Sequence, residues 1–159
     1  MVARSDDGWG NDAVRMMAGA GRDPREWLSI DAYVRSDAGG ESRPFRPVSG
    51  RDMEGSLNAV SRDTARSLLV ILSSGEEDVR HIPDFESNRQ RLYGCSDTVL
   101  SRFGPDAQFW TSVDDPPEES DGTDLRVSEW YALTVESMDL GLVAVSPTEV
   151  GVFWICNPL

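Results

Sequence analysis

The hydrophobic positions of this chain change period along its length: helical spacing dominates the first two thirds and alternation the last. Asn11 can cap a short helix over 12–18, which Gly19 and Gly21 end. Asp23, Pro24 and Glu26 supply a cap, a first-turn proline and a capping-box acid. With Trp27, Leu28, Ile30 and Val34 on one stripe, they predict a helix that stops near Ser36. Residues 37–50, with Pro44, Pro47 and Gly50, read as a linker within the domain. Met53, Leu57 and Val60 are spaced for a third helix, weakened by Gly55. Ser67–Leu72 is a continuous apolar run, and at six residues it reads as a strand buried on both faces and central in its sheet. Two short helices follow, over 84–93 and 96–103, ended by Gly94 and Gly104.

Beyond residue 106 the period is two. A strand is expected over 107–113. Leu125, Val127, Tyr131, Leu133 and Val135 alternate with polar residues as in a half-buried strand. Residues 140–145, the turn Ser146-Pro-Thr-Glu149 and residues 150–156 make a hairpin, with Pro147 at a turn position that suits its fixed φ. The fold class is therefore α+β: helices from the first two thirds lie on one face of a mainly antiparallel sheet that ends in a C-terminal β-meander. Residues 1–10 read as a flexible lead-in and 11–159 as one domain, the size expected of a single core.

Charge changes this picture. The chain has no lysine; fifteen arginines face 28 acids, for a net charge of −13. The excess is local, because residues 111–159 hold ten acids against Arg126 alone. Every cation is thus a planar guanidinium suited to carboxylate pairing. The field has the wrong sign for a membrane-surface helix or for direct nucleic-acid binding, since phosphate contacts need a basic footprint. No apolar run has the length of a signal peptide or a membrane span, so the chain reads as cytoplasmic. Cys95 and Cys156 are too few for a disulfide framework or a zinc site and read as reduced, mostly buried thiols.

Candidate chemistry is sparse. Asp114, Asp115, Glu118, Glu119, Asp121 and Asp124 put six carboxylates into eleven residues between two predicted strands, around a stiff Pro116-Pro117. A calcium loop fails on register: with Gly122 at the sixth position, Pro117 and Ser128 fall where acids are required. His81 is the only histidine, and Asp84 follows three residues later, but no nucleophile elbow accompanies them and Cys95 lacks a family context. Phosphate-cradling loops are absent, so no catalytic residue, metal site or cofactor is assigned. Trp130 and Trp154 sit on strands whose alternation leaves two possibilities. Either the sheet is covered on both sides, or one face offers aromatic surface to a partner.

These features favour a small acidic binding protein over a catalyst. Its acidic sheet and loop, through Asp114, Asp115, Glu118, Glu119, Asp121, Asp124, Trp130 and Trp154, would dock a basic partner protein. Inhibitors, immunity proteins, antitoxins and effector chaperones share this charge and size, because complementary fields speed encounter and shape specificity. A small enzyme with its site between helices and sheet, or a self-associating structural component, are the alternatives.

Overall fold

A computed structural model describes residues 1–18, 45–116, 126–134 and 136–157. Within them lie four helices, α1 (Trp9–Met17), α2 (Gly50–Ser56), α3 (Arg62–Ser74) and α4 (Phe85–Ser101), and a 3-10 turn at Val79–His81. Strands β1 (Val2–Ala3), β2 (Asn58–Val60), β3 (Gln108–Thr111), β4 (Met138–Val145) and β5 (Glu149–Asn157) form one antiparallel sheet. Its order is β1-β5-β4-β3-β2. The fold is α+β, and the expected terminal hairpin is present, with eight paired positions from Met138↔Asn157 to Val145↔Val150. The helix expected beyond Asp23 lies outside the described residues.

The helices occupy both faces of the sheet, not one. On one side α3 and α4 cover Leu140, Leu142 and Ala144 of β4, joined by Phe109, Phe153 and Ile155. On the other, Trp9 and Ala13 of α1 with Met53 of α2 cover Val143, Val145 and Val150. Here Trp9 stacks on Trp110 with centroids 4.5 Å apart. The alternation along β4 thus feeds two cores, and both possible apolar faces of the final hairpin are used.

Two elements depart from their sequence pattern. The run Ser67–Leu72, expected as a central strand, lies inside α3. Punctuation decides it. The Ser61 hydroxyl accepts the Thr64 N–H at 3.1 Å, Asp63 sits in the first turn, and Gly75 closes the helix at φ 77°. Leu68, Leu69, Val70 and Ile71 are all buried, because α3 is enclosed by the sheet and α4. Each such burial is worth about 1.5–3 kcal/mol. From Leu68 to Leu72 no polar side chain interrupts the run to betray a helical period. The helices expected over 84–93 and 96–103 are one, because Gly94 continues α4 with open space beside it.

The start of the chain is built into the fold. Val2 and Ala3 pair with Val150 and Glu149, and α1 begins at Trp9 rather than after Asn11. No side chain of its own caps α1; Glu54 of α2 accepts the Gly10 N–H at 2.8 Å instead. The two helices meet at bare backbone. A Cβ on Gly10 would lie 2.1 Å from the Gly50 carbonyl oxygen. The helix expected around Met53, Leu57 and Val60 is α2 and ends at Ser56, so Met53 and Leu57 serve the second core while Val60, in β2, packs against the first.

Glycine substitutions test these assignments. Gly94→Ala should raise stability by about 0.5–1 kcal/mol, the helix-interior advantage of alanine. Gly141→Ala should lower it by about 1–3 kcal/mol or more, because the new Cβ would sit 1.9 Å from the Trp154 ring. Urea unfolding midpoints of the two variants should therefore move in opposite directions.

Candidate functional site

The sequence points to the connection after β3, and the structure shows how it is held. Thr111 and Ser112 are fully buried at the end of β3. The Ser112 Oγ accepts the Gly141 N–H at 3.0 Å, while the Ser112 carbonyl accepts the Tyr131 N–H at 2.7 Å. The hydroxyl thus stands in for the carbonyl on the β4 side and releases it to a new partner. Asn58 adds two bonds, donating through Nδ2 to the carbonyls of Val113 and Asp114 at 2.8 and 3.2 Å.

Residues 126–134, expected as part of a half-buried strand, are a strap held by isolated bridges. Arg126 bridges Asp78, Trp130 bridges Val113, and Thr134 bridges Phe45. Val127 and Trp130 pack in the α3–α4 core, whereas Leu133 packs in the α1–α2 core. The strap therefore passes from one core to the other. Both edges of β3 are occupied by β2 and β4, so no place in the ladder remains for it.

The strap brings Asp114 and Asp115 beside Glu129, Trp130 and Tyr131. The Asp114 N–H donates to the Glu129 carbonyl at 3.0 Å. The carboxylates of Asp114, Asp115 and Glu129 are exposed and pair with no cation among the described residues. Trp130 is half-buried, and Tyr131, at 42% exposure, is the large hydrophobic side chain most open to solvent among the described residues. Glu118, Glu119, Asp121 and Asp124 lie outside the described residues. Trp154 is elsewhere: it packs in the α1–α2 core, edge-on to Phe45 at 5.9 Å, so one surface does not include both tryptophans.

The hairpin strands carry little free charge. Glu149 is held by Arg102 in two hydrogen bonds of 3.0 Å, and Asp139 is fully buried. Asp139 accepts from the Trp154 indole N–H at 2.5 Å and from the Thr134 N–H. One carboxylate thereby fixes the Trp154 ring and the end of the strap. Opposite it in register is Cys156, whose thiol pKa is raised by burial and by the Asp139 and Glu136 charges. Both cysteines are free; Cys95 is exposed and Cys156 half-buried, so the expectation of two buried thiols fails for Cys95.

The other end of the strap is anchored at Asp78. The Val127 N–H donates to the Glu77 carbonyl at 2.8 Å, and the Arg80 guanidinium grips the Asp78 carboxylate. That side-chain hydrogen bond, against an opposing effect of burial, holds Asp78 at a pKa of about 2. His81 is exposed in the adjacent turn, and its side chain hydrogen-bonds no described residue. A cleft of about 540 Å³ lies nearby, lined by Arg80, Ile82, Asp84, Phe85, Glu86 and Ser87. Among the described residues, no three His, Cys, Asp or Glu side chains converge as metal ligands would.

Both anchors can be tested. Asp139→Ala leaves two buried N–H donors without an acceptor and should cost about 2–4 kcal/mol, with a shift in Trp154 fluorescence. Asp78 titrates lower folded than unfolded, so its pairing contributes stability that is complete above about pH 4 and is lost as pH falls toward about 2. The urea-stability difference between the native protein and Arg80→Met should therefore narrow on acidification through that window.

No protein-family profile, curated protein or solved structure matches this chain.

Proposed function

We propose that this chain is an acidic cytoplasmic binding protein, inhibitor-, immunity- or antitoxin-like or chaperone-like in role, that docks a basic surface of a partner protein. The contact would centre on Asp114, Asp115, Glu129, Trp130 and Tyr131. One observation carries this reading: an exposed tyrosine stands among carboxylates that have no described counter-ion. Tyrosine and tryptophan are favoured anchors in interface centres, and unpaired rim charges accelerate encounter with a surface of opposite sign. The remaining loop acids, Glu118, Glu119, Asp121 and Asp124, belong by sequence to the same connection and would extend the field. The strap's anchoring at both ends favours binding with little ordering cost. The same negative field argues against direct nucleic-acid binding.

The test compares three immobilised proteins offered the same lysate: the native chain, Tyr131→Ala, and the triple variant Asp114→Asn, Asp115→Asn, Glu129→Gln. Retained proteins are identified by mass spectrometry and their affinities measured after purification. The native chain should hold a basic protein that salt releases. Tyr131→Ala should weaken it about tenfold or more, equivalent to about 1.4 kcal/mol. The triple variant should lose most of the salt dependence. Equal binding by all three proteins would overturn the reading.

A further inference from the structure

Among the described residues, no strand pairs with the outer edge of β5 beyond Val150. β1 pairs only with Glu149 and Val150, whereas β4 covers the inner edge through Asn157. Hydrogen-bond alternation fixes which groups point outward. Arg4 donates to the Thr148 carbonyl on the β1 side at 2.9 Å, and Ser146 donates to the Glu149 carbonyl on the β4 side at 2.8 Å. Even-numbered residues of β5 therefore face away from β4. Gly141, opposite Trp154, confirms the parity, since its N–H and carbonyl both engage the β3 side at Ser112 and Thr111. Val152, Trp154 and Cys156 thus present their N–H and C=O groups outward, and no described strand pairs with them. Residues 151–156 are Gly-Val-Phe-Trp-Ile-Cys, without a charge or a proline. Proteins usually guard such an edge with lysine, proline or a bulge.

We infer that β5 is a self-pairing edge: two copies of this chain join antiparallel across Val152–Cys156 about a twofold axis at Trp154, making one continuous sheet. The outward groups at Val152, Trp154 and Cys156 are symmetric about Trp154. Self-pairing therefore matches Trp154 with Trp154 of the second copy and Val152 with its Cys156. Two hydrogen bonds at each of these pairs satisfy every outward group of the segment. The segment is bounded at its start, because β1 already holds the outer side of Val150. Val152, Phe153, Trp154, Ile155 and Cys156 are all only half-buried, so a neighbouring strand would cover apolar surface on both sheet faces. Sheet extension by an added strand is a recurrent mode of association.

The full chain is tested by sedimentation across protein and salt concentration, with amide exchange read by NMR. Dimers should strengthen as salt screens the −13 charges, opposite to the salt response of basic-partner docking, so the two readings fail separately. The N–H groups of Val152, Trp154 and Cys156 should exchange at least tenfold more slowly in the dimer than after dilution. Val152→Pro removes an outward donor at an edge position where proline is tolerated, and should weaken the dimer at least tenfold. If that variant fails to fold, Val152→Cys in a Cys95→Ser background supplies the readout. Mild oxidation should link residue 152 to Cys156 of the second copy, whose Cα atoms would stand about 5.5 Å apart. A monomer at about millimolar concentration in about 1 M salt overturns the inference. A dimer whose three amides exchange freely, or protection that appears only when a different protein is added, also overturns it.

Discussion

The architecture depends on a strand with no polar side. In β4 every residue from Asp139 to Val145 is buried, and the alternating side chains serve two separate cores. A strand of that kind needs cover on both faces, so helices must lie above and below it. Its neighbour β5 inherits the demand: Val152 and Trp154 join one core, Phe153 and Ile155 the other. Trp154 can lie flat only because Gly141 offers no Cβ beneath it. The fully buried carboxylate of this pair, Asp139, is tolerated because two N–H groups converge on it.

The same constraint dictates where charge goes. Strands that bury both faces cannot carry free acids, so those of the C-terminal third fall in the connections. Among the described residues, several arginines are engaged within the helical portion. Arg62 binds the Leu100 and Gly104 carbonyls and lies over the Phe109 ring, while Arg66 stacks on Tyr93 and pairs with Asp97. Arg80 is spent on Asp78, and among the described ion pairs Arg102 alone reaches an acid of the last third, Glu149. Planar guanidinium groups favour such partly buried carbonyl, ring and carboxylate contacts, which tie helices to their neighbours. In sequence, residues 111–159 keep ten acids against Arg126 alone.

Much of this was legible in the residues. The β4–β5 hairpin declared itself through two apolar runs around the turn Ser146-Pro-Thr-Glu149, and the acidic connection through composition. What misled was length without context. Six apolar residues at Ser67–Leu72 suit a strand or an enclosed helix equally, and only the capping pair Ser61 and Gly75 distinguishes them. Gly94 carries the signal of a helix end but sits where the next turn continues unobstructed. The strap was harder still. Its alternation is real, but whether a strand finds a free ladder edge is settled by the rest of the sheet. Ser112, whose hydroxyl takes the Gly141 N–H and frees its carbonyl for the strap, had no local signal at all, since any buried serine would look the same in sequence.

An apolar edge without a described partner, in a chain without lysine, raises the question of what holds copies apart. The local devices are missing along Val152–Cys156, so protection must come from the whole molecule. A net charge of −13 supplies it, because two like-charged copies repel before their edges meet. Such repulsion is long-ranged and shrinks to a Debye length of about 8 Å at physiological ionic strength, whereas backbone pairing acts at contact and is barely screened. In the two proposals this charge excess would serve both purposes at once. It would select partners of opposite sign, and it would set the ionic strength at which the bare strand of one copy can approach that of another.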